Sequence, residues 1–440
     1  MPSTPFAAVA DGAVLSVGPW ALLLLALPII LLGEAITARL GWLRRANIPA
    51  AVVGGLLVAL ILLGLHETRP GTVELNGNTT HGLWLWATTP TWGIADARPT
   101  DVERPLLILF FTCVGLNASW AVARRGGWPL VILLGLSIGV AAFQAAVGAA
   151  TAAALGESPL LGVMSGNVAL MGGFGTAAGF APEFEKAGLT GAATLGVAAA
   201  AFGVVAGGIL AGWIGGLLVA KARRTAPTST GSAPTVSAED TGTRFLAEVH
   251  ALWVHGRATL IHLAVLIGCM KLGAFLSVYV QGLGLTFPVY MGSMVVAAVV
   301  RNAHDLGRGA WLSTDRTDAI GAVALAWLLA VVMVDLQLAR ILYAAGPLLV
   351  VLVVQVALLA LLAYTLIFRW MGRDYEAAVI SAGMIGFGLG AMSNAMASMR
   401  VLAARYGAAP KAFLIVPIVG AFLVDFANAL ITTTALNLFK

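Results

Sequence analysis

Charge is scarce in this chain: only 10% of its 440 residues are Asp, Glu, Lys or Arg, whereas a soluble domain carries about 25%. A surface so poor in charge could not be wetted, which excludes a soluble enzyme, a disordered chain and a nucleic-acid module. Cysteine is nearly absent. Cys113 and Cys269 both lie inside apolar runs, which argues against a disulfide framework and a Cys-based metal site. The six histidines, His66, His81, His250, His255, His262 and His304, are scattered without metal-ligand spacing, and no pair forms a His-Glu-x-x-His face. No Ser–His–Asp arrangement follows from spacing, so nothing supports hydrolysis and no enzyme activity is expected. No basic stretch precedes the first apolar run, so a cleaved signal peptide is not expected.

What fills the chain is apolar side chain, at 60% of residues and a mean hydropathy of +0.94. Runs near the roughly 20 residues that cross a bilayer fall at about 15–38, 50–66, 104–122, 128–154 and 190–220, then at 257–280, 287–301, 318–336, 341–368 and 411–437. Two shorter stretches interrupted by Gly remain at about 158–181 and 376–400. The pattern predicts an all-α polytopic membrane protein. Between the two sets lies a segment rich in Thr, Ser, Ala and Pro, read as a solvated linker.

The two sets match element by element. Ile48-Pro49 opens the second run of one half and Phe287-Pro288 that of the other, and Pro is tolerated at a first helical turn, where its missing N–H has no partner anyway. Glu157-Ser158-Pro159 and Asp374-Tyr375-Glu376 each precede a Gly-rich stretch. The expectation is a first repeat over 1–222, a cytoplasmic linker over 223–256 and a second repeat over 257–440. Each repeat has five transmembrane helices and one Gly-rich broken or re-entrant helix. With the N-terminus outside and each interrupted stretch returning to its own side, eighteen of the 25 Lys and Arg face inward and six outward, Lys271 lying within a span. That bias fits the positive-inside rule, and five crossings per half make the repeat inverted. Paired broken helices in inverted halves point to a secondary transporter.

The chemistry is sought at the breaks. Ser165 to Gly179 contains Gly172, Gly173, Gly175 and Thr176; its counterpart, Ser381 to Asn394, contains Gly386, Gly388, Gly390, Ser393 and Asn394. Gly at this density breaks a helix, and broken backbone survives in a bilayer only where protein or a watery cavity satisfies it. A helix restarting after the break aims free N–H groups and a positive dipole end at an anion. The alternative for such stretches is close helix packing through small residues. Asp425 sits within the last run, a costly place for a carboxylate, and Asn428 follows on the same face; together they offer hard oxygens to Na⁺. The alternative there is a hydrogen-bonded Asp joining two helices. Asn117, with Asp335-Leu336-Gln337 at the matching place, could line the cavity or cap a span. Lys271 is expected to snorkel, and Glu34 to sit at an interface. Trp84, Trp86 and Trp92, in the outside loop from Glu67 to Glu103, are expected as anchors at the membrane interface.

These motifs resemble the sodium/glutamate symporter family over nearly the whole chain. The resemblance is carried by Ile48-Pro49 with Gly54-Gly55-Leu56-Leu57-Val58, Phe110-Phe111 with Gly115-Leu116-Asn117, Gly172-Gly173 with Gly175-Thr176, and Gly386 to Ala391. It is densest in Ala412-Phe413-Leu414, Val416-Pro417 and Val419-Gly420-Ala421-Phe422 with Asp425 and Asn428. It implies a Na⁺-coupled importer of glutamate or a related small anionic solute, working by alternating access in the bacterial plasma membrane as a homodimer. Phe174 stands where the family pattern has His, Met392-Ser393-Asn394 where it has Thr-Pro-Thr, and Asp335 where it has Gly. The other readings are a proton-coupled or 2-hydroxycarboxylate/dicarboxylate carrier on the same core, and a passive anion channel.

Overall fold

The structure, a computed structural model, describes residues 6–8, 15–40, 43, 48–68, 73–93, 100–223, 244–283, 287–307, 312–334, 338–390 and 392–439. The principal helices are α1 (Pro19–Arg39), α2 (Ala50–Thr68), α3 (Arg104–Leu116), α4 (Gly127–Ala154), α5 (Pro159–Val163), α6 (Gly173–Lys186), α7 (Ala192–Arg223) and α8 (Arg244–Val254). They continue with α9 (Gly256–Gly282), α10 (Val289–Leu306), α11 (Thr314–Val334), α12 (Leu338–Leu362), α13 (Tyr375–Gly388), α14 (Met392–Tyr406), α15 (Pro410–Ile418) and α16 (Val424–Phe439). Among the described residues six helices are long and apolar enough to cross a bilayer: Pro19–Arg39, Trp120–Ala154, Ala192–Ala222, Gly256–Gly282, Thr314–Val334 and Ala345–Trp370. The chain is thus a nearly all-helical, polytopic membrane protein.

Four of the ten expected crossings, at 50–66, 104–122, 287–301 and 411–437, are not among these six, and for the last three the local structure shows why. The run at 104–122 is helical only over the 13 residues of α3, about 20 Å at 1.5 Å per residue. The run at 287–301 extends to Leu306 and takes in Arg301, Asn302, His304 and Asp305. The last run is divided by a wide π turn at Val419–Leu423, just after Pro417, whose ring removes a helical N–H.

The all-α expectation also needs correction near the N-terminus. Leu15–Val17 is a strand, antiparallel to Phe6–Ala8 and parallel to Val73–Leu75. The chain stays extended until Pro19 at the first helical turn pre-sets φ for α1. A second ladder pairs Asn78–Thr79 with Thr100–Asp101. The linker, too, is partly helical: α8 occupies its end, and the Glu34 carboxylate accepts the Phe245 N–H at 2.8 Å. Glu34 therefore serves the first turn of α8. Residues 224–243 of the linker, Asp335-Leu336-Gln337 and Ala391 lie outside the described residues.

The chain forms two compact units, each drawing on both sequence halves: Met1–Arg44, Pro49–Ala118 and Asp240–Leu342 in the first, and Arg45–Ile48, Ser119–Glu239 and Tyr343–Lys440 in the second. In the first, α1 packs on α2 and α9 on α10, while α3 lies against α10 and α11 against α2. Small residues permit the close crossings. A Cβ added to Gly33 would stand 1.9 Å from the Ala50 carbonyl oxygen, and one added to Gly292 would stand 2.2 Å from that of Gly273. Without a hydrophobic drive between helices in lipid, such backbone proximity supplies the packing attraction.

Lys271 does not snorkel. It is 2% exposed, and its ammonium donates to the carbonyls of Trp86 at 2.7 Å and Thr89 at 2.9 Å, and to that of Thr91. The charge also lies 4.4 Å from the centre of the Trp86 ring, an attractive placement. The loop before α3 is thereby folded onto α9, with Trp84 Nε1 donating to the Val102 carbonyl at 2.7 Å. Trp84 and Trp86 hold this loop together, Trp86 Nε1 donating to the Trp92 carbonyl at 3.3 Å, and the Trp92 ring, 69% exposed, packs on Phe275. Lys271→Met keeps the stem but leaves three carbonyls without their donor. Hydrogen bonds to a charged group contribute about 1.5–3 kcal/mol each, so a marked drop in thermal midpoint and faster proteolysis between α2 and α3 are expected; unchanged proteolysis would show the loop is held elsewhere.

Candidate functional site

The Gly-rich stretches both lie in the second unit. Ser158 caps the first by accepting the Leu160 N–H, Pro159 opens α5, and the helix widens into a π turn over Met164–Met171. Within that turn Gly166 leaves helical geometry, at φ −93° and ψ −114°. The chain then breaks at Gly173, φ +72°, a value that suits glycine, and α6 starts. In the second stretch the Asp374 side chain accepts the Ala377 N–H at 2.7 Å to cap α13. That helix ends at Gly388, Gly390 takes φ +121°, and α14 starts at Met392. Each half-helix is 15 residues or shorter, too short for a roughly 30 Å hydrocarbon core.

The two breaks meet. A Cβ on Gly173 would stand 2.7 Å from the carbonyl oxygen of Gly390. Behind Gly390 lies α7, with Val204 Cγ2 at 3.0 Å and the Ala200 carbonyl oxygen at 3.3 Å from its added Cβ, while one on Gly203 would stand 2.6 Å from the Leu389 carbonyl oxygen. Bare backbone on three segments thus comes together at one place. Both α6 and α14 begin within a few residues of it, and the first turn of any helix has N–H groups without intrahelical partners. Two positive dipole ends therefore originate at one contact, an arrangement able to hold an anion.

The other expected residues sort around this contact. Gly172 makes room for Thr176, since an added Cβ would lie 2.5 Å from the Thr176 Cβ, and Thr176 itself is buried. Gly175 and Phe174 occupy the first turn of α6 and are buried. Gly386 lets α13 pass α14, its added Cβ falling 2.4 Å from Ala395 Cα; Gly388 abuts Leu359 of α12. Asn394 donates to the Val204 carbonyl at 2.5 Å and so ties α14 to α7. Ser393 is in the first turn of α14.

Asn428 is fully engaged. Its Oδ1 accepts from Asn167 Nδ2 at 2.9 Å, and its Nδ2 donates to the Asn167 carbonyl at 3.0 Å. Thr432 Oγ1 accepts from the same Asn167 amide at 2.9 Å. The pair fastens α16 to the π turn of the first stretch. Asp425, one helical turn earlier, is partly exposed and makes no hydrogen bond among the described residues. Asn117 belongs to the first unit, where its amide donates to Asp318 Oδ1 at 2.5 Å.

Sequence reasoning passed over three buried amides in the second unit. Gln355 Nε2 donates to the Gln144 carbonyl at 2.7 Å, and Gln144 Nε2 to the Gly388 carbonyl at 3.3 Å. The side-chain oxygens of Gln144, Gln355 and Asn167 are buried without a hydrogen-bond partner. Such groups are rare because each carries a desolvation cost, and oxygens lacking donors suit a hard cation. The available signal was position, since Gln within a run such as Ala141-Ala142-Phe143-Gln144-Ala145-Ala146 is expensive in lipid. Among the described residues no group of three His, Cys, Asp or Glu could hold a metal. His262 is structural, its Nε2 accepting from the Ser313 N–H at 2.9 Å.

Comparison with known proteins agrees with this architecture. The family model described as sodium/glutamate symporter matches residues 15–97 and 81–408. A protein of Haemophilus influenzae named sodium/glutamate symporter is 32% identical over 409 residues, covering 92% of this chain and 94% of that protein. One of the same name from Escherichia coli K12 is 32% identical over 404 residues, covering 91% and 93%. With both halves, both glycine breaks and the packing between them inside the matched span, the chain belongs to the sodium/glutamate symporter family, as a multi-pass protein of the bacterial plasma membrane.

Proposed function

We propose that this protein is a secondary transporter that couples inward movement of Na⁺ to that of glutamate or a related small anionic solute by alternating access. The observation that carries the reading is the contact of Gly173 with Gly390 in one unit, with the starts of α6 and α14 beside it. An anionic solute is held there by backbone N–H groups of Gly173, Phe174 and Gly175 and by Thr176, with Ser393 and Asn394 opposite. Asp425 supplies the charge for Na⁺, and the donor-free oxygens of Gln144, Gln355 and Asn167 supply further ligands. Asn428 acts by holding Asn167. Asn117, whose amide donates to Asp318 within the first unit, is an ion-binding residue in this reading. The names of the relatives support Na⁺ and glutamate as the transported pair.

The reading includes two inverted repeats of five membrane-crossing segments each and a homodimeric assembly. The matched packing of α1 on α2 with α9 on α10, and of α3 on α10 with α11 on α2, supports the repeat. Single cysteines at Asn78 and His250, both exposed, in a background lacking Cys113 and Cys269, are expected to react from opposite faces of the membrane. Labelling of both from one face overturns the inverted arrangement.

Transport is tested in proteoliposomes with labelled glutamate, aspartate, citrate and malate. Glutamate is expected to accumulate above its external level only under an inward Na⁺ gradient. Thr176→Val, which removes one hydroxyl donor at constant shape, is expected to raise the half-saturating solute level about tenfold or more, from a lost hydrogen bond to a charged group of about 1.5–3 kcal/mol. Accumulation driven by a proton gradient alone would move the reading to a proton-coupled carrier, and downhill flux indifferent to Na⁺ to a channel.

A further inference from the structure

The second unit carries a long groove that the transport site does not use. It has a volume of about 590 Å³ and is lined by Trp128, Gly135, Gly139 and Phe143 of α4 facing Leu366 and Trp370 beyond the end of α12, among others. The two helices are joined deeper in the unit where Gln355 donates to the Gln144 carbonyl at 2.7 Å, and the groove separates them between that point and the two tryptophans. Gly135 and Gly139 make it deep: a Cβ on either would meet nothing within 4 Å. From Trp128 to Phe143 the groove follows α4 for about 22 Å, well over half of a roughly 30 Å hydrocarbon core. That exceeds the roughly 15 Å depth of one leaflet and gives room for one acyl chain lying along α4.

The charges at one end identify the occupant. Arg124 and Arg125 immediately precede α4, and Arg369 and Arg373 flank Trp370; all four are exposed and none has an ion-pair partner among the described residues. The nearest acid in sequence, Asp374, accepts the Ala377 N–H at 2.7 Å as a helix cap. Lys221, at the end of α7, adds a fifth cation, its ammonium 4.3 Å from the centre of the Tyr364 ring. Trp128 and Trp370, 72% and 61% exposed, have the residue type that concentrates at headgroup level. Cations and indoles at the mouth of an apolar slot match a molecule with an anionic head and a hydrocarbon tail. A second copy of this chain would have to bring an acidic belt to the same level, and nothing in the groove calls for one.

We propose that the groove between α4 and the end of α12 is a binding site for an anionic phospholipid, with one acyl chain over Gly135 and Gly139 and the phosphate among Arg124, Arg125, Arg369 and Arg373. The site is separate from the glycine breaks, so the proposal stands or falls independently of the transported solute. Each Lys or Arg near an anionic lipid headgroup contributes about 1 kcal/mol, or roughly fivefold in affinity.

The test uses the full chain, delipidated in detergent and offered phosphatidylglycerol or phosphatidylcholine with identical acyl chains. Native mass spectrometry counts bound lipid, and size-exclusion chromatography monitors folding and assembly. Phosphatidylglycerol is expected to bind in preference to phosphatidylcholine. Arg124→Ala combined with Arg369→Ala, two exposed positions, is expected to weaken its binding at least tenfold and to leave phosphatidylcholine unchanged. Gly139→Leu fills the groove without meeting other atoms near its Cβ and is expected to reduce occupancy by both lipids. Equal binding of the two lipids overturns the proposal, as does an arginine variant with unchanged affinity or a Gly139→Leu protein that keeps its lipid. Conversion of a dimer to a monomer by Gly139→Leu with lipid retained would instead make the groove a contact between copies.

Discussion

Gly173→Val is expected to abolish solute uptake while the protein still reaches the membrane. Two costs coincide at this position. The backbone at φ +72° disfavours a residue bearing a Cβ by about 1–2 kcal/mol, more for a β-branched one. The new Cβ would also lie 2.7 Å from the Gly390 carbonyl oxygen, on a residue that is itself packed against Ala200 and Val204 of α7. The two breaks must then separate, and the N–H groups of α6 and α14 cease to face one site. Uptake should fall by a hundredfold or more, equivalent to about 2.7 kcal/mol. Gly188→Ala is the control: its φ is +100° but nothing lies within 4 Å of an added Cβ, so it carries the strain without the collision and should retain most activity. Uptake by Gly173→Val within a fewfold of the unaltered protein would mean that the glycine contact is packing alone.

The second large effect is expected at Asp425. Asp425→Asn removes the charge and keeps size and one oxygen, and no hydrogen bond among the described residues is lost with it. Insertion and thermal midpoint should therefore be preserved or raised, since an ionised carboxylate in a membrane-spanning segment is itself costly. The Na⁺ level that half-activates glutamate uptake should rise by tenfold or more. Asn428→Ala separates the two roles. It removes two hydrogen bonds to Asn167, whose amide keeps Thr432 and whose carbonyl keeps the Gly172 N–H. It should lower the thermal midpoint, in line with about 0.5–1.5 kcal/mol for each bond lost. An Asp425→Asn protein with unaltered Na⁺ dependence, alongside a destabilised Asn428→Ala, would place the coupling ion elsewhere.

How much of this was legible in the sequence depends on how local each cause is. The helix breaks were readable because Gly-rich runs fail as helices wherever they lie, and the starts of α5 and α13 because Ser158 and Asp374 act on N–H groups two or three residues away. Lys271 was misread for the opposite reason. Its partners, the carbonyls of Trp86, Thr89 and Thr91, lie some 180 residues distant, and a backbone carbonyl leaves no mark in composition. That the Asn428 oxygen accepts from Asn167, 261 positions away, leaves no mark in composition either.

By itself the sequence determined the solvent, the helical class and the places where helices stop: scarce charge cannot face water, and backbone in lipid must satisfy itself within helices. Tertiary structure decided which of those interruptions become a site. Gly173 and Gly390 are more than two hundred residues apart, and only packing against a third segment, α7, sets one break against the other. It also decided the division of the chain, because the compact units take helices from both halves. A repeat is a property of covalent order, whereas a unit forms wherever small residues let backbones approach, and that is settled between helices rather than along them.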